Sequence, residues 1–309
     1  MATLTINVKQ PIETVKIGAT PAEGGTRSSV VTIGGQKCMP FTFAQDEPEN
    51  KPVVAYEIWD TPPADWPATL ANELKIAWGD SFEWANYIIN KTRAEILFLR
   101  LMSLHPHYNN RTVKEAVEFV RQFLVKIKLP VIIVGCGVTE TDDEVIPLAA
   151  EALRGERLLF GNVTADNYKK IIEACVKYGH SVITESPIDI NLAKQANILA
   201  DQAGLPKDRI VMYATTGALG YGLEYAYSVM EQTRIYGLEG DRHMNKPQIA
   251  FVGQESWRSK EAKESREAGI TWEEITAEAY LHCGADIVIV RHPESGRRIE
   301  EFLSAFFKN

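Results

Sequence analysis

A glycine-rich segment at residues 215–222 has the composition most suited to ligand contact in this sequence. It reads Thr-Thr-Gly-Ala-Leu-Gly-Tyr-Gly, follows an apolar run and precedes a helical pattern. Backbone N–H groups at such a position can face the acceptor atoms of a ligand. The segment matches neither the G-x-G-x-x-G dinucleotide pattern nor a P-loop, which requires G-K-S/T. Contact with a ligand or partner is therefore the favoured interpretation, and a structural loop is the alternative.

Two other segments combine small residues with a reactive or charged side chain. The run Gly-Gly-Thr-Arg-Ser-Ser contains Thr26 and Arg27, which could offer backbone and guanidinium donors, although glycine and serine also dominate plain turns. Cys136 lies between Gly135 and Gly137, where it could act as a thiolate nucleophile or a metal ligand. Because no neighbouring residue in the sequence would lower the pKa of its thiol, a buried, inert cysteine is favoured.

The histidines and carboxylates form no complete catalytic set. His105 and His107 bracket a proline and do not have the i, i+4 spacing of a zinc-binding helix. A carboxylate pair for glycoside hydrolysis would have to come from Glu57, Glu185 and Glu255, which follow different apolar runs. The G-x-S-x-G elbow of the α/β-hydrolases is also missing from the sequence. We therefore assign no catalytic residue and no metal ligand.

Alternating strands and helices are predicted to position these candidates. Eight short apolar runs are typical of strands buried on both faces of a parallel sheet. They are Val53–Tyr56, Ile96–Leu99, Val131–Val134, Leu158–Phe160, Val182–Ile183, Ile210–Tyr213, Ile249–Val252 and Ile287–Val290. Helical patterns separate them, as at Val113–Lys128. Eight strand–helix units about 30 residues apart predict a (β/α)8 TIM barrel, and a doubly wound open sheet is the alternative.

Functional groups in a barrel lie where the strands end, because the loops after the strands assemble the site there. The predicted ends carry Glu57 and Asp60, Arg100, Cys136 and Gly137, Gly161 and Asn162, Glu185 and Ser186, Thr215 and Thr216, Gln254 and Glu255, and Arg291 and His292. This rim is polar and rich in small residues, which leave room for a bulky ligand to approach the backbone.

The first fifty residues lack the strand–helix alternation. Val15–Gly18 and Val30–Ile33 have the character of short strands, with a tight turn predicted at Gly34-Gly35. We therefore divide the chain into an N-terminal β-hairpin extension at residues 1–50, packed against one end of the barrel, and a TIM barrel at residues 51–309. Helix starts are predicted at Ser186-Pro187 and at a capping box in residues 271–274.

Charge and composition exclude several classes of partner. The 309 residues include 33 Lys and Arg against 41 Asp and Glu, a formal net charge of −8. With no basic block, neither nucleic acid nor an anionic membrane is expected as a partner. No apolar stretch approaches the roughly 20 residues of a membrane span and no export signal is evident, so a cytoplasmic location is expected. The four cysteines lie far apart, which argues against a disulfide scaffold or an iron–sulfur cluster held by this chain alone.

Five segments in chain order carry a family resemblance. They are Gly18-Ala19-Thr20 leading to residues 24–28, Val134-Gly135-Cys136-Gly137, residues 186–191 (Ser-Pro-Ile-Asp-Ile-Asn), residues 217–225 (Gly-Ala-Leu-Gly-Tyr-Gly-Leu-Glu-Tyr) and Arg291-His292-Pro293-Glu294. Together they resemble the small, delta-type subunit of the corrinoid iron–sulfur protein, over nearly the whole chain. The resemblance implies a TIM barrel in a heterodimer with a larger subunit. That larger subunit would carry a 4Fe–4S cluster and a corrinoid (cobamide), which would lie at the junction of the two subunits.

The resemblance also implies the role of a methyl carrier subunit that is not itself an enzyme. The methyl group would come from methyl-tetrahydrofolate through a methyltransferase and pass on cobalt to acetyl-CoA synthase, in anaerobic fixation of CO2 and CO. The barrel would cover the corrinoid. The expected corrinoid contacts are Thr215, Thr216, Gly217, Leu219, Gly220, Tyr221 and Gly222, together with Thr26, Arg27, Cys136 and Gly137. Some family members have an Asp-Pro-Ser-type run where this chain has Ala214-Thr215-Thr216, so no role of that acid is transferred.

Two other hypotheses compete with this one. An autonomous methyltransferase barrel would itself bind a methyl-pterin, with Asp60, Asn162 and Asp189 available to hold the amide-like edge of the ring. A purely structural barrel would only stabilise the larger subunit.

Overall fold

The computed structural model describes residues 6–40, 49–74, 79–108 and 110–306. The chain begins with two short strands, β1 (Val15–Ile17) and β2 (Val31–Ile33). Eight further strands follow: β3 (Val53–Trp59), β4 (Ile96–Arg100), β5 (Val131–Val134), β6 (Leu159–Val163), β7 (Ser181–Ser186), β8 (Ile210–Ala214), β9 (Gln248–Ala250) and β10 (Ala285–Val290). These eight pair in parallel in chain order, and β10 closes the barrel between β9 and β3. The predicted (β/α)8 TIM barrel is confirmed, and the open sheet is excluded.

Helices surround the barrel and return the chain to the start of each strand. They are α1 (Ala68–Leu74), α2 (Ser81–Lys91), α3 (Val113–Lys126), α4 (Thr139–Ala152), α5 (Tyr168–Tyr178), α6 (Ile190–Gln202), α7 (Leu223–Leu238), α8 (Val252–Ser256), α9 (Lys260–Glu264), α10 (Arg266–Cys283) and α11 (Pro293–Phe306). Within the described ranges, none of them combines the length and the apolar character that crossing a membrane requires.

The N-terminal hairpin closes one end of the barrel. Its strands pair antiparallel, and Val15, Ile17 and Val31 pack in the same apolar cluster as the inward-facing residues of the barrel strands. Backbone hydrogen bonds tie residues 18–30 to the loops that precede β5 and β6, so the hairpin lies at the N-terminal ends of the strands. The prediction of a hairpin packed on one end is therefore confirmed. The predicted tight turn is wrong, because residues 18–30 connect the two strands and Gly34-Gly35 follow the second one.

Two predicted helix starts are also wrong. Ser186 is the last residue of β7, and the following helix α6 is capped by Asp189, whose carboxylate accepts hydrogen bonds from the backbone N–H groups of residues 191 and 192. Thr271 lies inside α10, which begins five residues earlier and is capped by Ser265. In both places the tertiary structure extends an element beyond the local signal.

Candidate functional site

The alternation of side chains along the barrel strands builds a polar layer at the C-terminal end. Inward-facing residues include Phe98, Ile183 and Ile289, which belong to the apolar interior of the barrel. Because side chains alternate with a period of two, the residues two positions further on also face inward. They are Arg100, Glu185 and Arg291, and Glu57 follows Ala55 in the same way. The sequence therefore places charged groups on top of an apolar core.

Arg100, Glu185 and Arg291 form part of the floor of a cavity of about 1000 Å3. The floor is lined by Arg100, Cys136, Asn162, Glu185, Tyr213 and Arg291. The mouth is lined by His105, His107, Tyr108, Arg258 and Lys263, among others. The cavity thus lies at the C-terminal ends of the strands, opposite the hairpin.

Glu57 is the organising group beneath the floor. One carboxylate oxygen accepts hydrogen bonds from Arg100 Nε at 2.9 Å and Trp59 Nε1 at 2.7 Å, and the other accepts from Arg291 Nε at 2.6 Å. Burial alone would raise the pKa of Glu57, but the two guanidinium groups outweigh it and hold the pKa at about 2. One ionised carboxylate is therefore shared between two cations, which leaves one positive charge in excess.

Aromatic rings fix both guanidinium groups. The Arg100 guanidinium carbon lies 5.2 Å from the ring centre of Phe98 and 5.5 Å from that of Phe251. The Arg291 guanidinium lies 4.5 Å from the ring centre of Trp66. Such cation–π contacts, together with the shared carboxylate, orient the planes of the two groups.

The opposite side of the floor carries Glu185 beside Asn162. Burial raises the pKa of Glu185, against the lowering effects of the Asn162 amide and of Arg100. The side-chain oxygen of Asn162 is buried and accepts no hydrogen bond from the described part of the chain. Tyr213 stacks on Phe251 at 4.1 Å, and burial raises the pKa of this tyrosine to about 12. This side of the floor is thus polar and partly unsatisfied.

Cys136 lines the cavity in the context of a buried aspartate. The Asp142 carboxylate accepts hydrogen bonds from the backbone N–H groups of Cys136, at 2.8 Å, and Gly137, at 2.9 Å. A side chain at Gly135 would collide with that carboxylate, since a Cβ there would lie 2.0 Å from an Asp142 oxygen. Burial, and then the negative charge of Asp142, raise the pKa of the Cys136 thiol to about 12. The thiol is therefore protonated at neutral pH, in line with the interpretation of an inert cysteine.

The glycine-rich loop at residues 215–222 packs against α10. The Tyr280 hydroxyl accepts a hydrogen bond from the N–H of Gly217, at 2.9 Å, and donates one to its carbonyl oxygen, at 2.7 Å. The N–H of Leu219 is bonded to Thr276, and its carbonyl oxygen accepts from Trp272.

The ends of this loop differ in exposure. Thr215 donates to the Ser186 carbonyl oxygen, and Thr216 accepts from the N–H of Phe251. Gly220 is exposed, as is half of the Tyr221 side chain. None of residues 215–222 is among those that line the cavity. Its expected corrinoid contacts stay a prediction, and the exposed residues Gly220 and Tyr221 are the ones most open to a ligand.

Thr26 and Arg27 lie at the opposite end of the barrel. The buried Arg27 side chain pairs with Glu156 at 2.9 Å and donates to backbone carbonyl oxygens at the end of α3 and just beyond it, including that of Ile127 at 2.6 Å. The Thr26 hydroxyl donates to the same glutamate at 2.8 Å. The structure therefore brings Cys136 and Gly137 together in the cavity and separates Thr26 and Arg27 from it.

The sequence analysis placed Arg100, Glu185 and Arg291 at strand ends but did not choose them as ligand-binding candidates. The signal that could have selected them is the alternation phase, since each stands two residues after a large apolar residue within its strand. Of the residues proposed for pterin binding, Asn162 alone lines the cavity. The Asp60 carboxylate is bound by Ser103 and Arg111, and Asp189 caps α6. No cluster of three metal-ligating side chains occurs in residues 6–40, 49–74, 79–108 and 110–306.

Comparison with known proteins identifies the family. A family model described as the CO dehydrogenase/acetyl-CoA synthase delta subunit matches residues 14–300. Subunit delta of the acetyl-CoA decarbonylase/synthase complex of Methanopyrus kandleri is 36% identical over 287 residues, covering 90% of this chain and 71% of the relative. The corresponding subunit of Archaeoglobus fulgidus is 36% identical over 304 residues, covering 91% of this chain and 65% of the relative. The chain thus spans about two thirds of the length of these relatives.

A solved structure shares the fold. Dihydropteroate synthase of Coxiella burnetii, in complex with pteroic acid, has a TM-score of 0.61 with 10% sequence identity, covering 96% of this chain and all of that chain. At this identity the likeness shows the fold alone. The delta-type resemblance predicted from the sequence is confirmed by the family match: the chain belongs to the CO dehydrogenase/acetyl-CoA synthase delta subunit family.

Proposed function

We propose that this chain is a delta subunit of a complex of the acetyl-CoA decarbonylase/synthase type, and that its barrel covers a corrinoid held jointly with a larger partner subunit. The observation that carries the proposal is the match of the delta-subunit family over residues 14–300. The cofactor and the methyl transfer come from the delta-type resemblance, and the geometry of the barrel mouth supports them.

The mouth of the cavity suits a large, flat macrocycle with amide side arms. It opens at the C-terminal ends of the strands and leads into the cavity of about 1000 Å3. Donor groups on His105, His107, Arg258 and Lys263 surround it and can bond to amide oxygens. When bound, the corrinoid would supply the cobalt atom that carries the methyl group. The residues of this chain would hold the ring and exclude water from its covered face.

The side chains of the floor are suited to positioning rather than to covalent catalysis. Cys136 is a protonated thiol, and both oxygens of the Glu57 carboxylate are occupied by donors. We therefore propose a carrier role, with a methyl-tetrahydrofolate:corrinoid methyltransferase and acetyl-CoA synthase as further partners in the cytoplasm. The 4Fe–4S cluster would lie on the larger subunit.

The test is a visible absorption spectrum of the chain purified anaerobically, alone and after co-expression with its proposed larger subunit. We expect the chain alone to be colourless and the stoichiometric complex to show a corrinoid spectrum. The lifetime of reduced cobalt should be shorter in the larger subunit alone than in the complex. Equal lifetimes, together with undiminished methyl transfer by the larger subunit alone, would contradict a covering role.

A pterin-binding methyltransferase is the second candidate. The observation that favours it is the buried side-chain oxygen of Asn162 beside Glu185, which accepts no hydrogen bond from the residues that the structure describes. An amide and a carboxyl group side by side can read the amide-like edge of a heterocycle. Titration of the isolated chain with methyl-tetrahydrofolate separates the candidates. Tight binding that is lost in Asn162→Leu would favour the methyltransferase, and no binding would favour the cover.

A further inference from the structure

We propose that the floor of the cavity contains an anion-binding subsite, formed by Arg100 and Arg291, that takes a carboxylate or phosphate group of a small ligand. The inference concerns groups below the mouth and does not depend on whether a corrinoid covers it.

The first argument is charge. Glu57 remains ionised at neutral pH because its pKa is about 2, and it neutralises only one of the two guanidinium groups. Both arginines are largely buried, with side-chain exposures of 12% for Arg100 and 6% for Arg291. A positive charge in such a place is weakly screened by solvent. The electrostatic attraction of an anion in the cavity is therefore stronger than it would be at the surface.

The second argument is the geometry of the donors. Arg100 uses Nε for Glu57 and one terminal nitrogen for Gln254, at 3.0 Å. Arg291 uses Nε and one terminal nitrogen for Glu57. Each therefore keeps one terminal nitrogen without a hydrogen-bond partner in the described residues. Neither of these nitrogens is among the buried, unpartnered atoms, and both side chains line the cavity, so the donors reach open space.

The third argument is pre-organisation. The shared carboxylate and the rings of Phe98, Phe251 and Trp66 hold the guanidinium groups in place before a ligand arrives. Little side-chain entropy is then lost on binding, and arginine presents paired N–H groups that match the oxygens of carboxylate and phosphate. Exposed surface arginines differ from this pair, because their side chains are free to change conformation and would lose that freedom on binding an anion.

Glu185 is the group that opposes the anion. It faces Arg100, Asn162 and Asp142 across the floor, and the phenol of Tyr213 lies near it. Its ionisation would cancel the excess positive charge. The subsite should therefore bind anions better when Glu185 is protonated, and affinity should fall as pH rises through the pKa of Glu185.

The experiment is calorimetric titration of the full chain with inorganic phosphate and, separately, with malonate. We expect binding of at least one anion, weakened at least tenfold by Arg100→Gln and less by Arg100→Lys. The matched control is Arg121→Gln, which removes a surface arginine paired with Glu118 and should leave affinity within twofold. The anion that binds more tightly shows whether the subsite prefers a phosphate or a carboxylate group.

A second variant separates loss of the subsite from loss of the fold. Glu185→Gln should raise anion affinity several-fold at pH 8 and flatten its pH dependence, a gain that a misfolded cavity cannot produce. Crystals soaked in selenate should show anomalous density against the free nitrogens of Arg100 and Arg291. The inference is overturned if neither anion binds, if Arg100→Gln binds as the unaltered chain does, or if the selenate density lies elsewhere. A failure here would leave the co-purification test of the proposed function untouched.

Discussion

At the scale of single residues, Glu57 is the side chain beneath the cavity whose replacement we expect to lower the free energy of unfolding most. Replacing it with Gln would leave two guanidinium groups in a largely buried place without their counter-ion. Loss of one partner of a buried ion pair typically costs about 3–5 kcal/mol, and we expect Glu57→Gln to lower the free energy of unfolding by about that amount. Urea denaturation measures it. Glu118→Gln, whose carboxylate forms a surface pair with Arg121, is the control and should cost far less, because solvent screens an exposed pair. Equal losses would contradict the role assigned to Glu57.

The same carboxylate predicts a pH dependence with a definite sign. The pKa of Glu57 is about 2 in the folded protein against an ordinary 4.5, so the unfolded chain takes up the proton first as pH falls. Its stabilisation is complete above about pH 4.5 and is lost as pH falls toward 2. The difference in free energy of unfolding between the unaltered chain and Glu57→Gln should therefore shrink between pH 5 and pH 3. A difference that stays constant over that range would show that Glu57 is not ionised in the fold.

How far the site could be predicted at this scale is shown by Arg100 and Arg291. Their positions at strand ends followed from the apolar runs Ile96–Leu99 and Ile287–Val290 alone. Their inward direction was also available, because Phe98 and Ile289 have the same phase. That both arginines bind Glu57 could not be predicted, because β10 and β3 are far apart in the sequence and become neighbours only when the barrel closes.

At the scale of elements, Arg27 fastens the hairpin to the barrel. Its guanidinium satisfies carbonyl oxygens at the end of α3, where the helix dipole is negative, and pairs with Glu156. We expect Arg27→Gln to lower the free energy of unfolding by about 3–5 kcal/mol, because Glu156 and these carbonyl oxygens lose their donor. Phosphate affinity, normalised to the folded fraction, should not change. A variant of full stability that fails to assemble with the larger subunit would instead support the ligand or partner role predicted from sequence.

The wrong helix start at residues 271–274 shows what local signals miss. The pattern Thr-x-x-Glu is a capping box in isolation, yet α10 runs through it from Arg266. The glutamate of the pattern, Glu274, accepts a hydrogen bond from Arg298 at 3.1 Å. Its neighbour Glu273 accepts hydrogen bonds from the backbone N–H groups of Arg291 and His292. Burial raises the pKa of this carboxyl. Neither glutamate caps a helix: Glu274 bonds a side chain of α11, and Glu273 holds the backbone that follows β10.

At the scale of the whole molecule, the glycine-rich loop marks the limit of reasoning from sequence. Its composition predicted N–H groups free to bind a ligand. The N–H of Gly217 instead donates a hydrogen bond to the hydroxyl of Tyr280, 63 residues away. The close approach of Gly217 to Gly222 explains the glycines without a ligand, since a Cβ at Gly217 would lie 2.7 Å from the Gly222 backbone. Pairings over such distances depend on the closed barrel. The fold class could be predicted from the sequence, whereas the surface that the fold leaves available could not.

The orientation of the subunit in its complex is the remaining prediction at this scale. If the mouth faces the larger partner, exposed apolar residues at the C-terminal ends of the strands should be covered on assembly. Tyr225, 64% exposed, lies in the first turn of α7 beside the mouth, and Val125, 68% exposed, lies in the last turn of α3 at the hairpin end. Both stand on helix surfaces, so a glutamate at either position should cost little stability.

We expect Tyr225→Glu to weaken assembly with the larger subunit at least tenfold, because a carboxylate would be buried where an aromatic ring packs. Val125→Glu should leave assembly unchanged. Analytical ultracentrifugation of each variant mixed with the larger subunit measures both affinities. The reverse result would place the partner against the hairpin end, and the cavity would then face solvent with its arginine pair accessible to free anions.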